Sequence, residues 1–452
     1  MSAAPSVLIK GGTVVDPSQG LHARRDVLIS QGRIDAIADA ISPQRSARVI
    51  DASGLIVAPG FVELHCHLRE PGGSASETIE SGSAAAAAGG YTTVFPMPNT
   101  NPVCDSPVVV KFLLGRAAEV RRARVVPIAA VTREQKGEQL ADLGTLKAAG
   151  AGAFSDDGRP IMNAMIMRRA LTYARMLGTP IFDHCEDLNL TADGVMHEGS
   201  VSLRLGLRGI PRSSEASMVA RDCGLSHETG GHLHVCHVSN RDSIAAIRFW
   251  KDRGAPVTAE VSPHHLTLTD DAIAQGDGYD TSAKMKPPLC CEDDRRLLVE
   301  ALEDGTIDCI ATDHAPHAPA TKDTLFNDAP FGIIGFESAF SVLYTAFVAP
   351  GRWRLDFLIE KMTSAPAKLM GAEWGTLKPG AAADLTLLEV GVERPFDLSS
   401  IRSRSRNSPW LGKAMLARPV GTLLEGNETF AHPALFPAGL SAARSLAPAA
   451  VS

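Results

Sequence analysis

An α/β chain forming a (β/α)8 TIM-like barrel, with a small β-sandwich domain built from its N- and C-terminal segments, is the fold predicted by three observations. Eight short apolar stretches recur across residues 58–370, each followed by polar residues and then a helix-length amphipathic segment. Those polar residues gather at the C-terminal ends of the stretches, the rim where such barrels build active sites. Residues 1–57 and 371–432 have a different texture, β-branched residues with glycine punctuation, which suits two halves of one β domain flanking a long insert.

In chain order, SVLIKGGTVVD, DVLISQGRIDAI and ARVIDASGLIVA supply the first strands of the small domain. The barrel strands follow as FVELHCH, YTTVFPMPN, RVVPIAAVT, GAGAFSDDG, TPIFDHCED, LHVCHVS, APVTAEVSPHH and DCIATDHAPH. GTLKPGAAADLTLLEV and RPVGTLLEGNETF return to the small domain, and residues 433–452, rich in Ala, Pro and Ser, are expected as a disordered tail. A doubly wound open sheet competes with the barrel, but no Gly-rich phosphate loop follows the first strand.

Composition narrows the function classes. With 44% hydrophobic and 21% charged residues the chain is an ordinary globular protein, and a formal charge of −7 gives no electrostatic case for nucleic acid. MSAAPSVLIK lacks the apolar core of a signal peptide, and the AAAAA run is too short to span a bilayer. Eight cysteines without a CxxC pair read as reduced thiols of a cytoplasmic protein.

The chemistry is carried by histidines and carboxylates at the strand ends. In FVELHCHLREPG, His65, His67 and Arg69 occupy alternate positions and so share one face of a strand, which Pro71-Gly72 terminates. His184 ends TPIFDHCED, His237 ends LHVCHVS, Asp157 ends GAGAFSDDG and Asp313 ends DCIATDHAPH. A closed barrel points all six groups into one mouth, and imidazole with carboxylate suits zinc or a similar divalent ion. The set exceeds one catalytic zinc and serves two if a carboxylate bridges; Asp156 and Asp157 are both placed to do so. His22, His197, His227 and His432 read as surface or capping residues, His234 as packing, and His264 and His265 as supporting or structural. Lys147, in the helical DLGTLKAAG, reads as surface and not as a carboxylated bridge, and IRSRSRNSPW as a solvated return into the small domain.

HCHLREPG, MPNTNP, FSDDG, HCED, HVS, ATDHAPH and APFGIIGFESAF occur in that order, and with them nearly the whole chain resembles the amidohydrolase superfamily, specifically the bacterial class I dihydroorotases. The resemblance implies two Zn2+ or other divalent ions, one held by His65, His67 and Asp313 and one by His184 and His237. Asp157 is the implied bridge, because it continues the ungapped register that joins His65, Asn99 and His184. It implies reversible cyclisation of N-carbamoyl-L-aspartate to L-dihydroorotate, in de novo pyrimidine (UMP) biosynthesis, through a hydroxide between the metals whose proton Asp313 takes. Arg69 is the implied bidentate partner of the substrate carboxylate, with His67, Asn99, His317 and the Phe331–Gly332 backbone as further substrate contacts.

Two positions depart from the family pattern KxNPPLR, since this chain reads KMKPPLC: Lys286 replaces a substrate-contacting amide and Cys290 an arginine. A lysine at 286 can still face an anionic substrate. Allantoinase and hydantoinase are competing readings that require a carboxylated lysine. A silent homologue scaffolding aspartate transcarbamoylase would have lost metal ligands, whereas a working enzyme partnered with that transcarbamoylase, or a homodimer, is compatible with the resemblance.

Overall fold

The computed structural model describes residues 6–43, 47–275 and 278–440. Eight strand segments form the barrel: β1 (Phe61–Cys66), β2 (Tyr91–Pro96), β3 (Arg124–Val125 with Ile128–Ala130), β4 (Ala153–Ser155), β5 (Ile181–Asp183), β6 (Leu233–Val235), β7 (Val257–Val261) and β8 (Cys309–Ile310). Each pairs in parallel with the next. Pro127, which has no amide hydrogen, interrupts β3.

Closure between β8 and β1 is thinner. A parallel bridge joins Cys66 to His314, and the His67 amide donates to the His314 carbonyl at 2.9 Å. Glu63 fills the seam below it, accepting the amides of His65 and Thr312, both at 2.9 Å. Burial pushes this carboxyl up to about 8. A buried carboxyl thus stands where ladder hydrogen bonds are missing.

The eight covering helices are α1 (Ile79–Ala88), α2 (Pro107–Val120), α3 (Leu143–Ala149), α4 (Ala164–Leu177), α5 (Ser213–Thr229), α6 (Arg241–Lys251), α7 (Glu292–Glu303) and α8 (Leu355–Met362). α4 shows why these segments are helical. The Asn163 side chain caps its first amides, Ile166, Met167, Ala170, Leu171 and Ala174 form one buried stripe, and Gly178 ends it in the left-handed region. One apolar cluster joins Val62 and Leu64 of β1 to Phe95, Ile128, Ala153, Phe182 and Cys309 from five other strands. Residues from opposite walls meet only across the inside, so the barrel interior is a packed core. Truncating a ring such as Phe182 would cost about 3–5 kcal/mol.

The expected β-sandwich is built as one continuous hydrogen-bonded sheet that draws on both chain ends. Its order is Asn427–Ala431, Ala414–Leu424, Leu385–Pro395, Ile56–Pro59, Val7–Asp16, Leu21–Ser30 and Arg33–Ala38, with Arg48–Asp51 also paired to Val7–Asp16. Ile56–Pro59 runs straight into β1 through Gly60, where a Cβ atom would meet the Thr92 hydroxyl oxygen at 2.2 Å. The segment expected as tail behaves differently where it is described: Leu435, Phe436 and Leu440 bury themselves in the core of the small domain. Three large apolar side chains so spaced have more to gain from that core than from water, and the Ala/Pro/Ser count hid them. The rest of that tail, 441–452, lies outside the described residues. Among the described residues no helix is long and apolar enough to cross a membrane.

Candidate functional site

The six expected groups meet at the C-terminal rim of the barrel, and Asp157 sits among them. Its Oδ1 lies 3.3 Å from His65 Nε2, 3.6 Å from His184 Nδ1 and 3.7 Å from His237 Nε2. Its Oδ2 lies 3.6 Å from His67 Nε2. Asp313 Oδ1 is 3.1 Å from His67 Nε2 and 3.5 Å from His65 Nε2. His184 Nδ1 and His237 Nε2 face each other at 2.8 Å. All six side chains are buried.

Local backbone aims them. Val62 and Leu64 lie in the barrel core, yet His65 and His67, of opposite parity, reach the mouth; the pairing of β1 with β2 shifts register between Glu63 and Cys66, and such an irregularity re-aims a strand end. His237 (φ 33°), Asp313 (φ 45°) and Arg69 (φ 56°) all lie in the left-handed region, at a cost of order 1–3 kcal/mol each for a non-glycine residue. The alternation expected for Arg69 therefore fails: β1 ends at Cys66, and a turn, not the strand, carries Arg69 to the rim.

Asp156 and Asp157 separate by direction. Asp156 turns away from the mouth to accept the amides of Val131 and Thr132 at 2.8 and 3.0 Å, together with the Thr132 hydroxyl. Burial pushes its carboxyl up to about 7. Burial acts the same way on Asp157 and Asp313, but the surrounding imidazoles, His65 foremost, outweigh it and hold both well below the usual carboxylate range.

The donor set fits divalent cations. His65 Nε2 and Asp157 Oδ1 are fully buried and neither makes a hydrogen bond, an arrangement that costs free energy unless something else takes the lone pairs. His65, His67 and Asp313 form one compact group of ligand atoms, and His65, Asp157 and His237 another. Imidazole nitrogen with carboxylate oxygen suits zinc.

Two groups behind the candidate ligands, Glu260 and Glu186, were not legible as site residues. Glu260 of β7 takes His65 Nδ1 at 2.8 Å with one oxygen and His234 Nε2 at 3.0 Å with the other. Glu186 takes His184 Nε2 at 3.1 Å. Asn99, expected against substrate, directs its Oδ1 to His67 Nδ1 at 2.9 Å. Each leaves the other ring nitrogen facing the cluster, which fixes the tautomer a metal ligand needs. A carboxylate two residues after a histidine, as in HCED, was the one available signal.

The remaining substrate candidates line the loop after β8. Arg69 Nε donates to the Pro316 carbonyl at 3.2 Å. His317 Nε2 donates to the Phe331 carbonyl at 2.7 Å, and burial beside Arg69 lowers its pKa to about 3, so the ring is neutral. Gly332 has φ 147°, and a Cβ there would lie 2.8 Å from both His317 Nε2 and the Ala315 carbonyl. Lys286 turns to Glu186, with Nζ 2.8 Å from Oε1.

The basic run 401–410 corrects the expectation of a solvated return. Its arginines 402, 404 and 406 are exposed, but Ser403, Ser405 and Asn407 alternate with them and are buried. Asn407 donates to the Ala315 and Gly332 carbonyls at 2.9 Å and accepts the His317 amide at 3.2 Å, so the run fastens the rim loop. His197, expected at the surface or a cap, is instead buried, with Nδ1 3.6 Å from Cys290 Sγ. His264 and His265 both hydrogen-bond Ser262 and stay out of the cluster. Lys147 is exposed on α3.

Comparison with known proteins follows the same line. A family model described as Dihydro-orotase-like matches residues 54–243. A protein of Pelotomaculum thermopropionicum named Dihydroorotase is 50% identical over 93% of this chain and 97% of its own length. One of Anaeromyxobacter dehalogenans with the same name is 48% identical over 93% of this chain and 96% of its own. Among solved structures, an L-hydantoinase (dihydropyrimidinase) from Arthrobacter aurescens superposes with a TM-score of 0.83 at 26% identity, covering 95% of this chain and 96% of that one.

Proposed function

This chain belongs to the dihydroorotase family, and from that premise we propose that it interconverts N-carbamoyl-L-aspartate and L-dihydroorotate, a step of de novo pyrimidine synthesis. It is a cyclic amide hydrolase of barrel architecture. The observation that carries the finer reading is the convergence of four histidines on Asp157, all within 3.7 Å. His65, His67 and Asp313 would hold one divalent ion and His184 with His237 a second, Asp157 lying between them. Such ions polarise a carbonyl and lower the pKa of water towards 7, which an otherwise unreactive amide requires.

The chain's own residues supply the rest. Asp313, ionised at neutral pH, accepts the proton of the attacking water and returns it to the departing ring nitrogen, a transfer commonly worth about 10²–10⁴-fold in rate. Arg69 presents a planar fork to the substrate carboxylate, since the other reacting groups bind the opposite end of the molecule. Neutral His317 and the backbone at Phe331–Gly332 orient the ring from the loop side. The eight free cysteines suit a reducing compartment such as the cytoplasm.

The hydantoinase reading needs a lysine in the position that Asp157 occupies, and Lys147 is exposed on a helix. The test is turnover of dihydroorotate, hydantoin and allantoin by one preparation whose metal content is measured. Dihydroorotate hydrolysis with about two metals per chain is expected; preference for hydantoin or allantoin, or turnover by a metal-free sample, would sink the reading.

A further inference from the structure

We propose that Lys286 and Glu186 act as a positioning pair for His184, in place of the substrate contact expected at 286. This deepens the metal reading above and rests on it. Lys286 Nζ lies 2.8 Å from Glu186 Oε1, and Glu186 Oε2 lies 3.1 Å from His184 Nε2. On the far side of the ring, His184 Nδ1 faces His237 Nε2 at 2.8 Å and Asp157 Oδ1 at 3.6 Å. Donation of the Nε2 hydrogen to Glu186 leaves the Nδ1 lone pair pointing into the cluster, the tautomer that ligates a cation.

A carboxylate gripped by one oxygen can still rotate about its last bond. The Lys286 ammonium pairs by charge with the other oxygen, which makes no hydrogen bond, and its attraction favours one carboxylate orientation, so the imidazole plane is set through two linked contacts. Glu186 is 6% exposed and its Oε1 has no hydrogen-bond partner, so the charge of the nearby ammonium is what offsets the burial of that oxygen. The asparagine of the family pattern is too short to reach across as lysine does, so the pair belongs to this chain's departure at 286 and not to the general pattern. The same ammonium lies 5.1 Å from the centre of the Phe331 ring, which ties the rim loop to the ligand His184. With its charge matched by Glu186, Lys286 offers the substrate anion no free cation.

The experiment measures zinc affinity of the full chain by chelator competition, for wild type, Glu186→Gln, Lys286→Met, Lys286→Arg and the Glu186→Gln/Lys286→Met double variant. Glu186→Gln should weaken one of the two zinc equivalents about 10–100-fold and Lys286→Met the same equivalent about tenfold. Lys286→Arg should retain wild-type affinity, and the double variant should be no weaker than Glu186→Gln, because the lysine acts through the glutamate. The KM of zinc-saturated Lys286→Met should stay within about threefold of wild type. Unchanged zinc affinity with a raised KM in Lys286→Met would make 286 a substrate contact and overturn the pair. Wild type that takes up no zinc would overturn the metal reading and the pair together; wild type and variants that load equally would overturn the pair alone.

Discussion

Replacing Asn407 with alanine should loosen the rim loop without touching the histidine–carboxylate cluster. Asn407 is buried and makes three hydrogen bonds, to the Ala315 and Gly332 carbonyls and from the His317 amide. At about 1 kcal/mol net for each bond, the loss comes to about 3 kcal/mol, or roughly a hundredfold in the loop's opening equilibrium. The readout is amide exchange at residues 315 and 332, whose N–H groups bond the Ile333 and Lys284 carbonyls at 2.9 Å in the closed arrangement. Exchange at both should accelerate roughly a hundredfold, and KM for dihydroorotate should rise, since His317 and Gly332 are the proposed contacts from that side. Arg406→Ala, an exposed neighbour in the same run, is the control and should change neither. Exchange within about threefold of wild type, or the same acceleration in both variants, would show that Asn407 does not fasten the loop.

Three further outcomes follow from the same geometry. Asp313→Asn should lower kcat by about 10²-fold or more with thermal unfolding unchanged, and near-normal turnover would remove Asp313 from proton transfer. Arg69→Lys should raise KM about tenfold with a smaller change in kcat, because a point charge cannot reproduce a bidentate fork; an unchanged KM would place the carboxylate elsewhere. Burial pushes Asp294 up, but hydrogen bonds from Arg241, Cys291 and Arg212 outweigh it and hold the carboxyl at about 2. A lowered carboxyl contributes stability above its unfolded value near 3.8 and loses it as pH falls towards 2, so wild type should lose about 1 kcal/mol more than Asp294→Asn between pH 5 and pH 3. Parallel stability curves for the two proteins would refute that ledger.

The sequence by itself determined the strand order, the pairing of both chain ends and the types of residue at the rim, because alternation of apolar strand and amphipathic helix is a local pattern. His65, His67, His184, His237, Asp157 and Asp313 were legible for the same reason: polar groups ending apolar strands have few structural uses. Directions were not legible. Asp156 and Asp157 are adjacent, and only the fold shows one capping Val131 and Thr132 while the other enters the cluster. The left-handed turns at Arg69, His237 and Asp313 leave no glycine to mark them. Glu63, Glu260 and Asn407 act on groups up to hundreds of residues away, as Glu63 does on Thr312. A hydrogen bond between distant segments has no sequence period, so tertiary packing alone decides which buried polar groups meet.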